Sequence, residues 1–176
     1  MASIVIDYDN NNLKKLAELA GGNPDNSVHS DGSFYVEGVT QEDLDAALVE
    51  YNDNFEEHCL IPIREETKNI IAGQSAAFIN TRYAPYRREL FVALAEEARN
   101  SGLTNRVAYI NQMLIWVKTI VAAVLAAEDM IDAYTTVEEI RSTNLNTEVF
   151  VSTDPEITVR GAMAIEDTAS DGPAFV

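Results

Sequence analysis

The sequence predicts a mainly α-helical chain: a helical hairpin or bundle, preceded by a small strand-helix-strand unit and followed by an extended C-terminal arm with short β segments. Three observations carry this reading. First, Arg106 to Met130 contains the block MLIWVKTIVAAVLAA, in which Val107, Ile110, Leu114, Val117, Val121 and Val124 recur in steps of three and four, the seam spacing of a helix packed lengthwise on other helices. Second, the runs before this block repeat apolar residues at helical spacing and are separated by short turn clusters, so neighbouring helices run antiparallel. Third, the pattern changes after Ser142, where turn residues surround two short branched runs. The chain divides accordingly into a small α/β unit over 1–39, a helical bundle over 40–141 and an extended arm over 142–176.

Taken in order, Ser3 to Tyr8 is branched enough for a short strand, and Leu13, Leu16, Leu19 and Ala20 line one face of a helix that Gly21 and Gly22 end. Asn23 to Gly32 is almost wholly turn-forming, and the strand SFYVEGV follows with Phe34 and Val36 on one side. Thr40 with Asp43 three residues on is a helix-capping pair, after which Leu44, Leu48, Tyr51 and Phe55 share a face. Pro62 predicts a kink or break near Leu60 to Pro62, before a helix from Ile63 to about Asn80 with Ile63, Ile70, Ala77 and Phe78 inward. Pro85 starts a helix over Tyr86 to Asn100 that forms a hairpin with the central one, which Thr104 or Asn105 caps. Thr136 and Glu139 repeat the capping pair ahead of Ile140. In the arm, Thr147 to Val151 and Glu156 to Val159 read as strands.

An apolar share of 47% supports a real core, and a formal charge of −17 is unevenly spread. Residues 1–60 carry −11, residues 61–118 carry +3 and residues 119–176 carry −9. Acidic ends repel phosphates and anionic lipid, so nucleic acid and membrane surfaces are disfavoured as partners; solubility is the plain account, and docking on basic neighbours the sharper one. The apolar block spans about fifteen residues where a bilayer needs about twenty, and Lys118 sits near its middle, which argues against a membrane span. The first residues lack the basic and apolar regions of a secretory signal, so a soluble protein is expected. Cys59 is the single cysteine and His29 and His58 are the two histidines, which excludes an internal disulfide and a Cys/His zinc set.

Three constellations carry possible chemistry. Asp7, Asp9, Asn11 and Glu18 match oxygen positions of a calcium loop, but Asn12 stands where such a loop has glycine and a helix already starts at Leu13, so helix-capping asparagines are the better reading. Ser27, His29, Ser30 and Asp31 have the residue types of a hydrolase triad crowded into one turn, where a triad draws on separated elements. His58 and Cys59 are adjacent and point about 100° apart on a helix, so Cys59 reads as core and not as an activated thiol. No catalytic, cofactor or metal residue is expected. The stretch NTRYAPYRREL supplies Tyr83, Tyr86, Arg87 and Arg88, a tyrosine-arginine set typical of protein interfaces. Trp116 and Ile120 lie opposite the central seam, on a face expected to be covered by another copy of the chain; burial of both by one chain would remove the main support for an oligomeric hub.

The segments IVIDYDNNNLKKLAELAGG, YVEGVTQEDLDAALVEY and YAPYRRELFVALAEEA, followed by a long helix, resemble in arrangement the small tail-associated structural proteins of tailed bacteriophages. The resemblance covers roughly Val36 to Ile140. It implies a non-enzymatic virion component of tail, fibre or baseplate, a homo-oligomer contacting other virion proteins and assembled in the host cytoplasm. A transient tail or fibre assembly chaperone and a head-decoration or neck protein are the alternatives.

Overall fold

The computed structural model describes residues 2–7 and 9–165. Tyr8, read above as the end of the first strand, and the arm beyond Ile165 lie outside the described residues. With 71% of the chain helical and one small three-stranded sheet, the protein is mainly α. The elements are β1 (Ala2–Val5), α1 (Leu13–Leu19), β2 (Ser27–Ser30), β3 (Ser33–Val36), α2 (Gln41–Asp53), α3 (Ile61–Arg82), α4 (Pro85–Asn100), α5 (Thr104–Ala133), α6 (Val137–Ser142), α7 (Thr147–Thr153) and α8 (Val159–Ala164). Contacts gather them into two compact units, residues 1–71 with 126–144 and residues 72–125 with 145–176, a division that cuts across the three segments read from the sequence.

In the first unit the sheet order is β1-β3-β2, antiparallel throughout, with Ala2 opposite Val36 and Ser30 opposite Ser33. The turn-rich stretch after Asn23 holds a strand that apolar alternation did not mark, because the one large apolar residue of β2, Val28, faces solvent. Its pairing is set by the turn: Asp31 and Gly32 have φ of 52° and 73°, the left-handed pair that joins tightly linked antiparallel strands. Phe34 and Val36 alternate inward on β3 as predicted and are buried, as are Leu13, Leu16, Leu44 and Ala47 of α1 and α2. A side chain at Gly22 would run into the fully buried Val36, so the close approach there requires glycine. The Gln41 amide exchanges hydrogen bonds with the Ser3 backbone, 3.2 Å to its N–H and 3.1 Å to its carbonyl, and so covers an open edge of β1.

Both capping pairs form as predicted, Thr40 with Asp43 and Thr136 with Glu139. The break expected at Leu60 to Pro62 comes earlier. Helix α2 stops at Asn54, and Glu56–Leu60 then forms a wide π-type turn that leads straight into α3. Pro62 is thus tolerated in the first turn of α3, but it has no N–H for the carbonyl of His58 four residues back. Asn12 supplies that donor: its Nδ2 bonds the His58 oxygen at 3.1 Å, while its Oδ1 accepts from Lys15 N to cap α1 and its own N–H bonds the Tyr51 hydroxyl at 2.7 Å.

In the second unit α4 ends at Asn100, and Gly102 just beyond it has a φ of 73° that lets Leu103 N reach Ala98 O at 2.8 Å. Helix α5 begins at Thr104, which is therefore its first residue and not its cap. In α3 the inward row is Ile63, Thr67, Ile71, Ser75 and Ile79; Ile70 and Ala77, expected inside, are exposed because the polar Thr67 and Ser75 hold buried positions that an apolar count skips. Neither arm strand forms: Thr147 to Val151 is helical, and Glu156 to Thr158 is irregular, with a helix starting only at Val159. Thr147–Thr153 is α7, capped by Asn146, and Val159–Ala164 is α8, capped by Thr158. A strand that buried Phe150 would turn Glu148 and Ser152 to the same side, yet both are exposed, and the covered residues Thr147 and Phe150 stand three apart, as on a helix.

Replacing Asn12 by Ala removes a helix cap and strands the His58 carbonyl, and a loss of about 2–3 kcal/mol is expected in urea unfolding. Asn12→Asp keeps the cap oxygen and loses only the donor, so it falls between wild type and Asn12→Ala; equal losses in both variants would contradict this account.

Candidate functional site

The second unit is built around aromatic side chains, with Tyr83 edge to face on two of them and Phe78 tilted against Trp116. Tyr83 lies 5.4 Å from Trp116 and 6.2 Å from Phe91 between ring centroids, and Phe78 lies 5.8 Å from Trp116. Ile79, Ile110, Met113 and Ile120 complete the helical side of this core, and Phe150, Ile157 and Ala162 close it from the arm. Polar groups fix the arm at defined points. Trp116 Nε1 donates to the Phe150 carbonyl at 2.9 Å, and Tyr109 OH accepts from Thr158 N at 3.3 Å. The Tyr83 hydroxyl donates to Asp154 Oδ1 at 2.8 Å and accepts from Ile157 N at 2.9 Å, with Arg82 Nε 3.6 Å from the other carboxylate oxygen.

This arrangement relocates half of the expected interface. Tyr83, Trp116 and Ile120 are buried by their own chain, Trp116 to 3% exposure and Ile120 to 0%, so none of them is an outer contact. The physical reason is the arm: Phe150 and Ile157 need cover, and the face of α5 holding Trp116 provides it. Tyr86 is 66% exposed, Arg87 is exposed, and Arg88 is half-buried with Nη2 on Asn80 Oδ1 at 3.0 Å, so these three stay at the surface. The buried line of α5 within this unit is Ile110, Met113, Trp116, Ile120 and Val124. Val121, placed by periodicity in the packed seam, is exposed instead. It joins Ile115, 63% exposed, and Leu125, 55% exposed, as large apolar residues facing solvent. Their exposure could have been read from the sequence only by assigning the arm to the Trp116 face.

In the first unit the acidic loop serves itself. Asp7 accepts from Asp9 N through Oδ1 and from Asn10 Nδ2 through Oδ2, and Glu18 pairs with Lys15 at 3.6 Å. Among the described residues no group of three or more His, Cys, Asp and Glu side chains is placed to hold a metal ion. Ser27, His29 and Ser30 fall on β2, where the His29 ring meets the Ile6 carbonyl at 3.2 Å and Ser30 Oγ donates to Asp31 Oδ2 at 3.4 Å. Cys59 is buried beneath Asn10 and Tyr51, and burial pushes its thiol above the ordinary value, the opposite of an activated nucleophile. A cleft lined by Asn11, Lys14, His29, Glu66 and Arg141 over the apolar Leu13, Phe34 and Ile63 opens in this unit, with a volume of about 420 Å³.

Comparison with family models, with curated proteins and with solved structures found no match to this chain.

Tyr83→Phe leaves the buried Ile157 N–H without its acceptor and takes the hydroxyl donor from Asp154, so a loss of about 1–3 kcal/mol is expected, with faster protease cleavage within 145–165. Unchanged stability and cleavage would show that the hydroxyl does not hold the arm. Burial and the adjacent Asp154 carboxylate raise the Tyr83 hydroxyl above its ordinary 10.0, and burial beside Cys59 raises that of Tyr51. Below that ordinary value both states keep these protons; above it the unfolded chain releases them first, so stability falls with rising pH. The expected slope is up to about 1.4 kcal/mol per pH unit for each hydroxyl. Urea midpoints measured from pH 9 to 11 should therefore fall less steeply in Tyr83→Phe than in wild type.

Proposed function

We propose that this chain is a non-enzymatic structural protein of a tailed-phage particle that self-associates through helix α5 and meets neighbouring virion proteins with its acidic ends. The observation that carries the self-association is the exposed apolar group Ile115, Val121 and Leu125 on a helix whose other side is already packed by its own chain. Removing such residues from water stabilises an assembly by about 25 cal/mol per Å². Trp116 and Ile120 no longer support this reading, since one chain covers both. The phage setting rests on the likeness of GVTQEDLDAAL and YAPYRRELF to tail-associated proteins, and within it a tail, fibre or baseplate position is preferred to head or neck.

A second reading has its own observation. Helix α5 has 30 residues and is long and apolar enough to cross a membrane, with 33% of its most apolar window buried in the protein; the fifteen-residue block judged from the sequence understates it. Lys118 and Asp129 on its exposed side, together with intrachain packing of Met113, Trp116 and Ile120, favour a protein partner over lipid.

Purified protein at micromolar concentration is expected to scatter light with at least twice the 19.4 kDa chain mass. The variant Ile115→Asp/Leu125→Asp should be monomeric with its helical signal intact, because both positions face solvent. A monomeric wild type, or flotation with neutral lipid vesicles, would overturn the proposal. Detection in mature particles by mass spectrometry separates a resident component from an assembly chaperone that leaves.

A further inference from the structure

Five lysines and arginines belong to the first unit, and the way they are used singles out the cleft over Leu13, Phe34 and Ile63. Lys15, Arg64 and Lys68 form ion pairs with Glu18, Glu56 and Asp132. The other two, Lys14 of α1 and Arg141 of α6, make no ion pair among the described residues, and both line the cleft. The Arg141 guanidinium is anchored through Nη1 on the Asp9 carbonyl at 2.5 Å, a neutral partner that orients the group and leaves its charge uncompensated. The uncharged polar groups of the lining are committed to the fold. The Asn12 amide bonds the His58 carbonyl and Lys15 N, Asn11 Nδ2 donates to the Asp7 carbonyl at 2.8 Å, and Ser27 Oγ donates to the Pro24 carbonyl at 2.6 Å. Recognition in the cleft therefore falls to Lys14, Arg141 and the one acid of its lining, Glu66, with apolar contact from the half-buried Pro24 and the exposed Pro62.

We infer that this cleft binds a small organic acid, one carboxylate on a compact apolar body. Its volume of about 420 Å³ lies in the range of small-molecule clefts. Lys14, Arg141 and Glu66 together give it a charge of +1, inside a unit whose five bases and twenty acids leave −15. A single carboxylate complements that charge, accepting from the Arg141 fork and the Lys14 ammonium. A phosphate monoester, at about −1.5 to −2, would leave surplus negative charge facing Glu66. It would also meet Asp7, Asp9 and Glu138, which line a neighbouring hollow with Arg141. A neutral molecule of the same shape forgoes both cations. Ile115, Val121 and Leu125 belong to the other unit, so the inference stands or falls apart from the self-association proposed above.

Titrating the full chain with benzoate at pH 7, while following backbone amide resonances, tests this. Saturable shifts are expected at Lys14, Glu66 and Arg141 with a Kd of about 1–10 mM, and the amides around Trp116 should stay unmoved. Benzamide, of nearly the same shape without the charge, should bind about ten-fold more weakly or worse. Lys14 is exposed and its side chain has no partner among the described residues, so Lys14→Glu should keep the fold. It turns the cleft charge to −1 and should weaken benzoate binding about ten-fold or more. Glu66→Gln raises the charge to +2 and should tighten binding about three-fold, a gain that a damaged fold cannot mimic. Three results would each overturn the inference: no saturable shift at these residues, benzamide binding as well as benzoate, or a benzoate affinity that neither substitution moves.

Discussion

Burying an indole N–H without an acceptor costs about 1–3 kcal/mol, and for Trp116 the acceptor is the Phe150 carbonyl at 2.9 Å. The arrangement of the second unit follows from this bond. It draws the segment after Leu145 against α5, where Phe150, Ile157 and Ala162 complete the core that Tyr83, Phe91 and Met113 begin. The Tyr83 hydroxyl then secures the same segment a few residues further on, by binding both the Asp154 carboxylate and the Ile157 amide. Because the arm occupies the Trp116 side of α5, the large apolar residues left exposed on that stretch of the helix are Ile115, Val121 and Leu125. The proposed assembly face is therefore a consequence of how the chain uses its own tail.

The first unit shows a comparable dependence on one side chain. Pro62 withholds an amide hydrogen from the His58 carbonyl, and Asn12 replaces it while capping α1 and bonding Tyr51. One amide thereby links the N-terminal helix to the wide turn that joins α2 and α3. The residues around it, Tyr51, Cys59 and Leu60, are buried, and the raised values of the Tyr51 hydroxyl and Cys59 thiol follow from that burial. These groups have the hallmarks of structural parts, neutral and hydrogen-bonded, and not of a site poised for proton transfer.

Much of the local structure was legible in the sequence because its causes are local. Thr40 with Asp43, Thr136 with Glu139 and Pro85 at a helix start each act within one turn, and all three form. What the sequence hid depends on distant partners. Strand β2 exists because the Asp31–Gly32 turn folds it against β3, although Ser27–Ser30 has almost nothing to bury. The first arm segment is a helix because Thr147 and Phe150, three apart, are covered while Glu148 and Ser152, which a strand would set beside Phe150, face solvent. The face of α5 was misassigned for the same reason: a helix apolar nearly all round does not announce which side its own chain will cover. Tyr86, Arg87 and Arg88 stayed at the surface, while Tyr83, in the same motif, turned inward to hold the arm.

The central claim is that Trp116 is buried by its own chain and that association uses the opposite side of α5. Trp116 is the only tryptophan, so its emission reports on that face alone. Emission spectra recorded while the protein is diluted from micromolar to nanomolar, alongside light scattering, should stay blue-shifted as the assembly dissociates. A red shift that accompanies dissociation would mean that another copy covers Trp116, and would contradict the account.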